Sequence, residues 1–194
     1  AQEQPRIVVA APEALVQRTL PKEVLMNHVL RLHLSDTVDL NALGEQLVHL
    51  GYTRCQQVEG MGQFALRGGI LDVFGPGMEA PVRVEFFGDE VDAMGAFDLA
   101  SQRRVHNMEQ ICLLPAGEVL PAMTPGGSTA LAEKLEAMAG KLSNKKRSGS
   151  DELIGRLKAD AELLRQNALR GGLDRYMAAI YEERAIPLEY LASD

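Results

Sequence analysis

Between Gly62 and Asp98 the chain reads GQFALRGGILDVFGPGMEAPVRVEFFGDEVDAMGAFD, and the two-residue alternation there constrains the fold more than any other feature. Successive strand side chains point to opposite faces, so apolar residues at every second position need a core on one side only. In VRVEFF, Val82, Val84 and Phe86 share one side, while Arg83, Glu85 and Phe87 share the other. The second set puts a phenylalanine among charges on a wet face, which fits a partner surface better than a core.

The neighbouring segments follow the same rule. Phe64 and Leu66 face one way, Ala65 and Arg67 the other. Gly68-Gly69 fits a two-residue hairpin loop, which would bring Leu71 and Val73 onto the Phe64/Leu66 face. It equally fits a bulge in one long strand. Pro76 and Gly77 break the segment. Gly88-Asp89 reads as a two-residue turn with glycine first, of type II′ character. It sets Phe86 opposite Val91, Val84 opposite Ala93, Phe87 opposite Glu90, Glu85 opposite Asp92 and Arg83 opposite Met94. The polar face would then carry Phe87, Arg83 and Met94 among carboxylates.

Outside this stretch the pattern changes. Arg6–Ala10 is a continuous apolar run of the kind a buried parallel strand shows. Pro12 suits the first turn of a helix through Leu15 and Val16. Lys22–Val29 fits a short helix and Leu30–Leu34 a strand. Asp39 as N-cap and Gly51 as C′ bracket a helix whose Leu40, Leu43, Leu47 and Leu50 form one stripe to pack on a sheet. Ile111–Leu114 is a last short strand, ended by Pro115. After Pro121, Pro125, Gly126 and Gly127 the chain turns helical. Ser128 or Thr129 is the expected cap of a helix bearing Leu131, Leu135, Met138 and Leu142. Ser143–Ser150 is a polar, basic loop. Asp151 is the expected cap of a helix bearing Ile154, Leu157, Ala161, Leu164 and Ala168, ended by Gly171-Gly172. A last helix spans roughly Leu173–Tyr181. These helices carry too little apolar area to stand alone, so they should pack onto the first segment or onto sequence outside the chain.

The 194 residues suffice for one sizeable core or two small ones. A formal net charge of −7 argues against broad electrostatic binding of nucleic acid. Ala1 in place of Met suggests a piece of a longer protein. Cys55 and Cys112 lie outside any C-x-x-C, and His28, His33, His49 and His106 are scattered, so no zinc site is expected. Two reduced thiols, no signal peptide and no apolar run of the ~20 residues that span a bilayer point to a cytoplasmic, non-membrane protein. There is no Walker-type loop, and the motifs of zinc proteases and serine hydrolases are missing. No cofactor or catalytic residue is therefore expected. Asp72, Glu85, Asp89, Glu90, Asp92 and Asp98 read as solvated strand faces and turns rather than an acid–base pair.

What remains is a surface. If the strands share a sheet, Arg67, Arg83 and Phe87 can converge on one side, and two arginines with an aromatic match the composition of interface hot spots. The bland alternative pairs each arginine with a neighbouring acid and tucks Phe87 under a loop.

The run R-G-G-I-L-D-V-F-x-P-G (Arg67–Gly77), P-V-R-V-E-F-F-G-D-E-V-D (Pro81–Asp92), Phe97-Asp98 and Ser101-Gln102-Arg103 resembles the UvrB-homology region of bacterial transcription-repair coupling factors (the Mfd family) and, more distantly, UvrB. The resemblance runs from about Ile7 to Leu191, and the ending GGLDRYMAAIYEERAIPLEYL favours the coupling factors. It implies an α/β (α+β) chain with a central mixed or antiparallel β domain and a packing helix. Flanking this would be parts of a degenerate helicase-like domain that has lost nucleotide binding. Residues 1–30 would end the first half of a UvrB-like domain 1, 31–118 would form a UvrA-interacting domain 2, and 119–194 would be the helical second part of domain 1. The family's UvrA-contacting positions, two arginines and a phenylalanine, fall by motif on Arg67, Arg83 and Phe87. The implied function is a UvrA-binding adaptor, monomeric as a fragment, that recruits nucleotide excision repair to stalled RNA polymerase. The full-length protein would be an ATP-dependent translocase that also engages DNA. The alternative is a DNA-handling module of a UvrB-like repair enzyme, to which the basic run Lys145–Arg147 would contribute. An exposed Phe/Arg patch also invites an intramolecular cover.

Overall fold

Alternation in residues 62–98 becomes an antiparallel meander. The computed structural model describes residues 9–144, 149–166, 172–181 and 185–191. In it β3 (Gln63–Arg67), β4 (Ile70–Phe74), β5 (Val82–Phe87) and β6 (Glu90–Phe97) pair in sequence order. β2 (Thr53–Arg54) joins β3 in parallel at one edge and β7 (Arg104–Asn107) joins β6 at the other. The sheet has six strands in the order β2-β3-β4-β5-β6-β7. β1 (Leu30–His33) and β8 (Gln110–Leu113) form a separate antiparallel pair.

Gly68-Gly69 is a hairpin loop and not a bulge. Arg67 pairs with Ile70, Leu66 with Leu71 and Phe64 with Val73. Gly68 takes φ +56, and a Cβ on Gly69 would lie 2.8 Å from the Phe86 carbonyl oxygen. The second hairpin turns as expected at Gly88 (φ +64), with Phe87 opposite Glu90 and Phe86 opposite Val91.

Beyond those pairs the unbroken register fails. Glu85 pairs with Ala93, Val84 with Met94 and Arg83 with Gly95, which leaves Asp92 as an extra residue on β6. The reason is burial. Val91 and Met94 are both 1% exposed, and two residues three apart reach one face only if a bulge intervenes. Met94 therefore belongs to the core and not to the polar face. Opposite Arg83 stands Gly95, where a Cβ would lie 2.5 Å from the His106 carbonyl oxygen.

α3 (Leu40–His49) covers the apolar side of this β-rich part. The Asp39 carboxylate accepts the Asn41 and Ala42 amides at 2.8 and 3.1 Å, and Gly51 leaves the helix at φ +87. Leu43, Leu47 and Leu50 join Phe64, Leu71, Val73, Val82, Val84, Val91 and Met94 in one core, which Ile111 and Leu113 of β8 extend. Leu40 is only half-buried.

A second core lies in the helical part. It gathers residues of α4 (Gly127–Asn144), α5 (Asp151–Arg165) and α6 (Met177–Ile180) around Leu131, Leu135, Leu157 and Leu164. Leu20 belongs to it, and Val24 and Leu25 of α2 (Lys22–Met26) pack against it, so the helices fold back onto the first segment as expected. α1 (Pro12–Val16) lies beside α7 (Pro187–Leu191). Thr19 bridges Ala185 through the backbone, and the Tyr190 hydroxyl donates to the Leu20 carbonyl at 2.6 Å.

Several boundaries differ from expectation. α4 starts at Gly127, which puts Ser128 and Thr129 inside its first turn. Ser150, with no side-chain capping bond, precedes α5, so Asp151 is its first residue. Leu173–Tyr176 is a 3-10 turn ahead of α6, where a poor start for an α-helix follows Gly172 at φ +70. Val9 and Ala10 are exposed and not in a strand, because an apolar run needs a neighbouring sheet edge to bury it and these two meet none among the described residues. The remaining Arg6–Val8, the run Lys145–Arg147, Ala168 and Gly171 lie outside the described residues.

Candidate functional site

Strand pairing arranges the outer face of the sheet in rows. One row holds Phe87 and Glu90. The next holds Arg67, Ile70, Glu85 and Ala93, and the one after it Ala65, Asp72, Arg83 and Gly95. Adjacent rows are about 7 Å apart, the rise of two strand residues. Arg67, Arg83 and Phe87 thus share one face, with Arg83 and Phe87 two rows apart on β5.

Phe87 is 84% exposed and lies under no loop. Its exposure follows from alternation: Phe86, one residue earlier, packs against the core. Ile70, one row inward, is also exposed. The face therefore presents a benzyl ring and a branched aliphatic side chain to water beside its arginines.

The arginines are joined by Asp72, which is 1% exposed at the centre of β4. Arg67 donates from Nη2 to Oδ2 of Asp72 at 2.7 Å. Arg83 grips the same carboxylate bidentately, from Nε to Oδ1 at 2.6 Å and from Nη2 to Oδ2 at 2.8 Å. Arg83 Nη2 also donates to Oε1 of Gln102 at 3.2 Å, and its guanidinium stacks 4.8 Å from the Phe97 ring centroid. Arg67 donates from Nη1 to the Gln56 carbonyl at 3.1 Å. Hydrogen bonding to Asp72 holds the Arg83 pKa above its ordinary value, against the opposing effect of burial. Half of the Arg67 side chain and about a quarter of Arg83 remain accessible. Alongside, Arg104 pairs with Glu85.

Each arginine does pair with an acid, and it is the same acid. Reading Asp72 as a solvated strand residue was wrong. The missed signal is cross-strand: Arg83 stands directly opposite Asp72, and two cations on strands flanking one carboxylate satisfy the condition for burying it. Among the described residues no group of three or more histidines, cysteines or acids is placed to hold a metal, and no helix is long and apolar enough to cross a membrane.

Residues 30–118 match the family model of the UvrB interaction domain. The chain is 40% identical to a transcription-repair-coupling factor of Myxococcus xanthus over 113 residues, 58% of this chain and 9% of that protein. To the Bacillus subtilis (strain 168) transcription-repair-coupling factor it is 30% identical over 186 residues, 94% of this chain and 16% of that protein. The chain is a relative of the transcription-repair-coupling factors, with residues 30–118 matching the UvrB interaction domain. The Escherichia coli (strain K12) transcription-repair-coupling factor is 38% identical over 112 residues, 58% of this chain and 10% of that protein. The chain thus spans at most about a sixth of the length of these relatives. The span that matches the UvrB interaction domain coincides with the β-rich part. It opens at β1, closes just after β8, and contains α3, Asp72 and all of Arg67, Arg83 and Phe87.

Proposed function

We propose that this chain is the UvrA-docking segment of a transcription-repair-coupling factor, recruiting nucleotide excision repair to RNA polymerase stalled at DNA damage. It acts by binding. Contacts with RNA polymerase and DNA, and ATP-driven translocation, belong in this reading to other parts of the full-length protein. Residues 31–118 are the docking domain. Residues 1–30 and 119–194 are two parts of a helicase-like domain, a division in keeping with the second core built from Leu20 and the C-terminal helices.

The observation that carries the reading is a large aromatic, Phe87, 84% exposed on the same sheet face as two carboxylate-organised arginines, inside a UvrB interaction domain. A desolvated aromatic anchored beside planar, multi-donor guanidiniums is the composition of a binding hot spot. Titration of UvrA against the wild-type chain and its Arg67→Ala, Arg83→Ala and Phe87→Ala variants tests it. Each truncation should weaken binding by about 2 kcal/mol, while Arg156→Ala on α5 should leave it unchanged. Unaltered affinity for the folded Arg83→Ala and Phe87→Ala proteins would refute the docking face.

A further inference from the structure

We propose that Asp72 is the positioning residue of this face: its buried carboxylate holds the Arg67 and Arg83 guanidiniums in their docking arrangement before a partner arrives. The proposal rests on the UvrA-docking reading.

Geometry is the first support. Three hydrogen bonds reach Asp72 from two arginines on the strands either side of it, at 2.6 to 2.8 Å. Arg83 is bounded further by the Phe97 ring and by Gln102, and Arg67 by the Gln56 carbonyl. Each fork is held on more than one side. Charge is the second support. Two guanidiniums this close to one another repel, and Asp72 is the carboxylate between them. One negative and two positive charges leave the Arg67–Asp72–Arg83 cluster itself with a net positive charge, and among the described residues Nη1 of Arg83 has no hydrogen-bond partner with which to share it. Location is the third. A buried ion pair adds little net stability compared with apolar residues of the same size, so holding the fold together is a weak reason to bury a carboxylate on the outer face of a sheet. Holding two long side chains still is a better one, because it removes the ordering that docking would otherwise require.

Asp72→Asn keeps the size and one acceptor but turns an amide N–H2 toward the arginines. UvrA is titrated against the whole wild-type chain, Asp72→Asn, the Arg67→Ala/Arg83→Ala pair, and the triple variant, with thermal unfolding followed in parallel. Asp72→Asn is expected to weaken binding at least tenfold. Added to the arginine-free variant it should change affinity less than twofold, because nothing is left for it to position. Unchanged affinity for Asp72→Asn would overturn the proposal. So would an equal further loss in the arginine-free background, which would mean that Asp72 acts by supporting the sheet. If removing both arginines leaves UvrA binding intact, the docking reading itself has failed, and the inference falls with it. Should Asp72→Asn not fold, arginine side-chain NMR of the free wild-type chain decides the matter. A slowly exchanging, distinct Nε–H signal for Arg83 is expected, and a signal averaged with the solvent-mobile arginines would overturn the proposal.

Discussion

Replacing Phe87 with alanine separates binding from folding. Moving a phenylalanine side chain from water to an apolar environment is worth about 1.5–3 kcal/mol. Phe87 keeps 84% of its surface in water, so the folded chain draws only about 0.2–0.5 kcal/mol from its burial. Docking that covers the ring would draw on the remainder, about 1.3–2.5 kcal/mol, or roughly a ten- to seventyfold change in Kd. The variant should therefore unfold in urea within about 0.5 kcal/mol of wild type, as surface substitutions do, while losing UvrA affinity by that factor. Phe64→Ala is the contrast, because Phe64 is fully buried and its truncation should cost about 3–5 kcal/mol of stability. Isothermal titration and urea denaturation of both variants supply the numbers. A Phe87→Ala protein destabilised by more than about 1.5 kcal/mol would refute the exposed placement of the ring. An unchanged Kd with unchanged stability would refute its use in docking.

Two further outcomes follow from the fold. Gly95→Ala should cost about 1–3 kcal/mol in urea denaturation, because its Cβ would meet the β7 backbone at His106; Gly88→Ala, at positive φ in open space, should cost about 1 kcal/mol with the sheet retained, and a neutral Gly95→Ala would contradict the seating of β7 on β6. Burial raises the pKa of Tyr52 and Tyr181, the latter to about 12, so the stability tied to their neutral phenols is present below pH 10 and lost above it, for Tyr181 as pH rises through about 12. Absorbance at 295 nm should then show tyrosines ionising above 10 together with unfolding, and a single midpoint near 10 in the folded chain would contradict it.

Much of the β-rich part was legible because its signals are local. Asp39 and Gly51 bracket α3 through a capping carboxylate and a left-handed exit, and both can be read from single residues. Alternation in VRVEFF separates Phe86 from Phe87, since adjacent strand residues must oppose each other. What alternation cannot carry is register across a bulge. The spacing of three between Val91 and Met94 held the clue to Asp92, but only their burial makes it decisive. Asp72 escapes alternation for a related reason: whether a carboxylate on a strand faces water depends on what the neighbouring strands set beside it, and the Gly68-Gly69 hairpin and the β4–β5 pairing fix that. The apolar run ending at Val9 failed in another way, since hydrophobicity states a need for cover without supplying it.

Hydroxyl-radical footprinting of the chain, free and saturated with UvrA, tests the docking face most directly. Phe87 and Ile70 should be oxidised readily in the free chain and protected several-fold in the complex, with Val105 on β7 and Leu153 on α5 unaffected. Equal oxidation of Phe87 in the two states, or protection confined to α4 and α5, would contradict it.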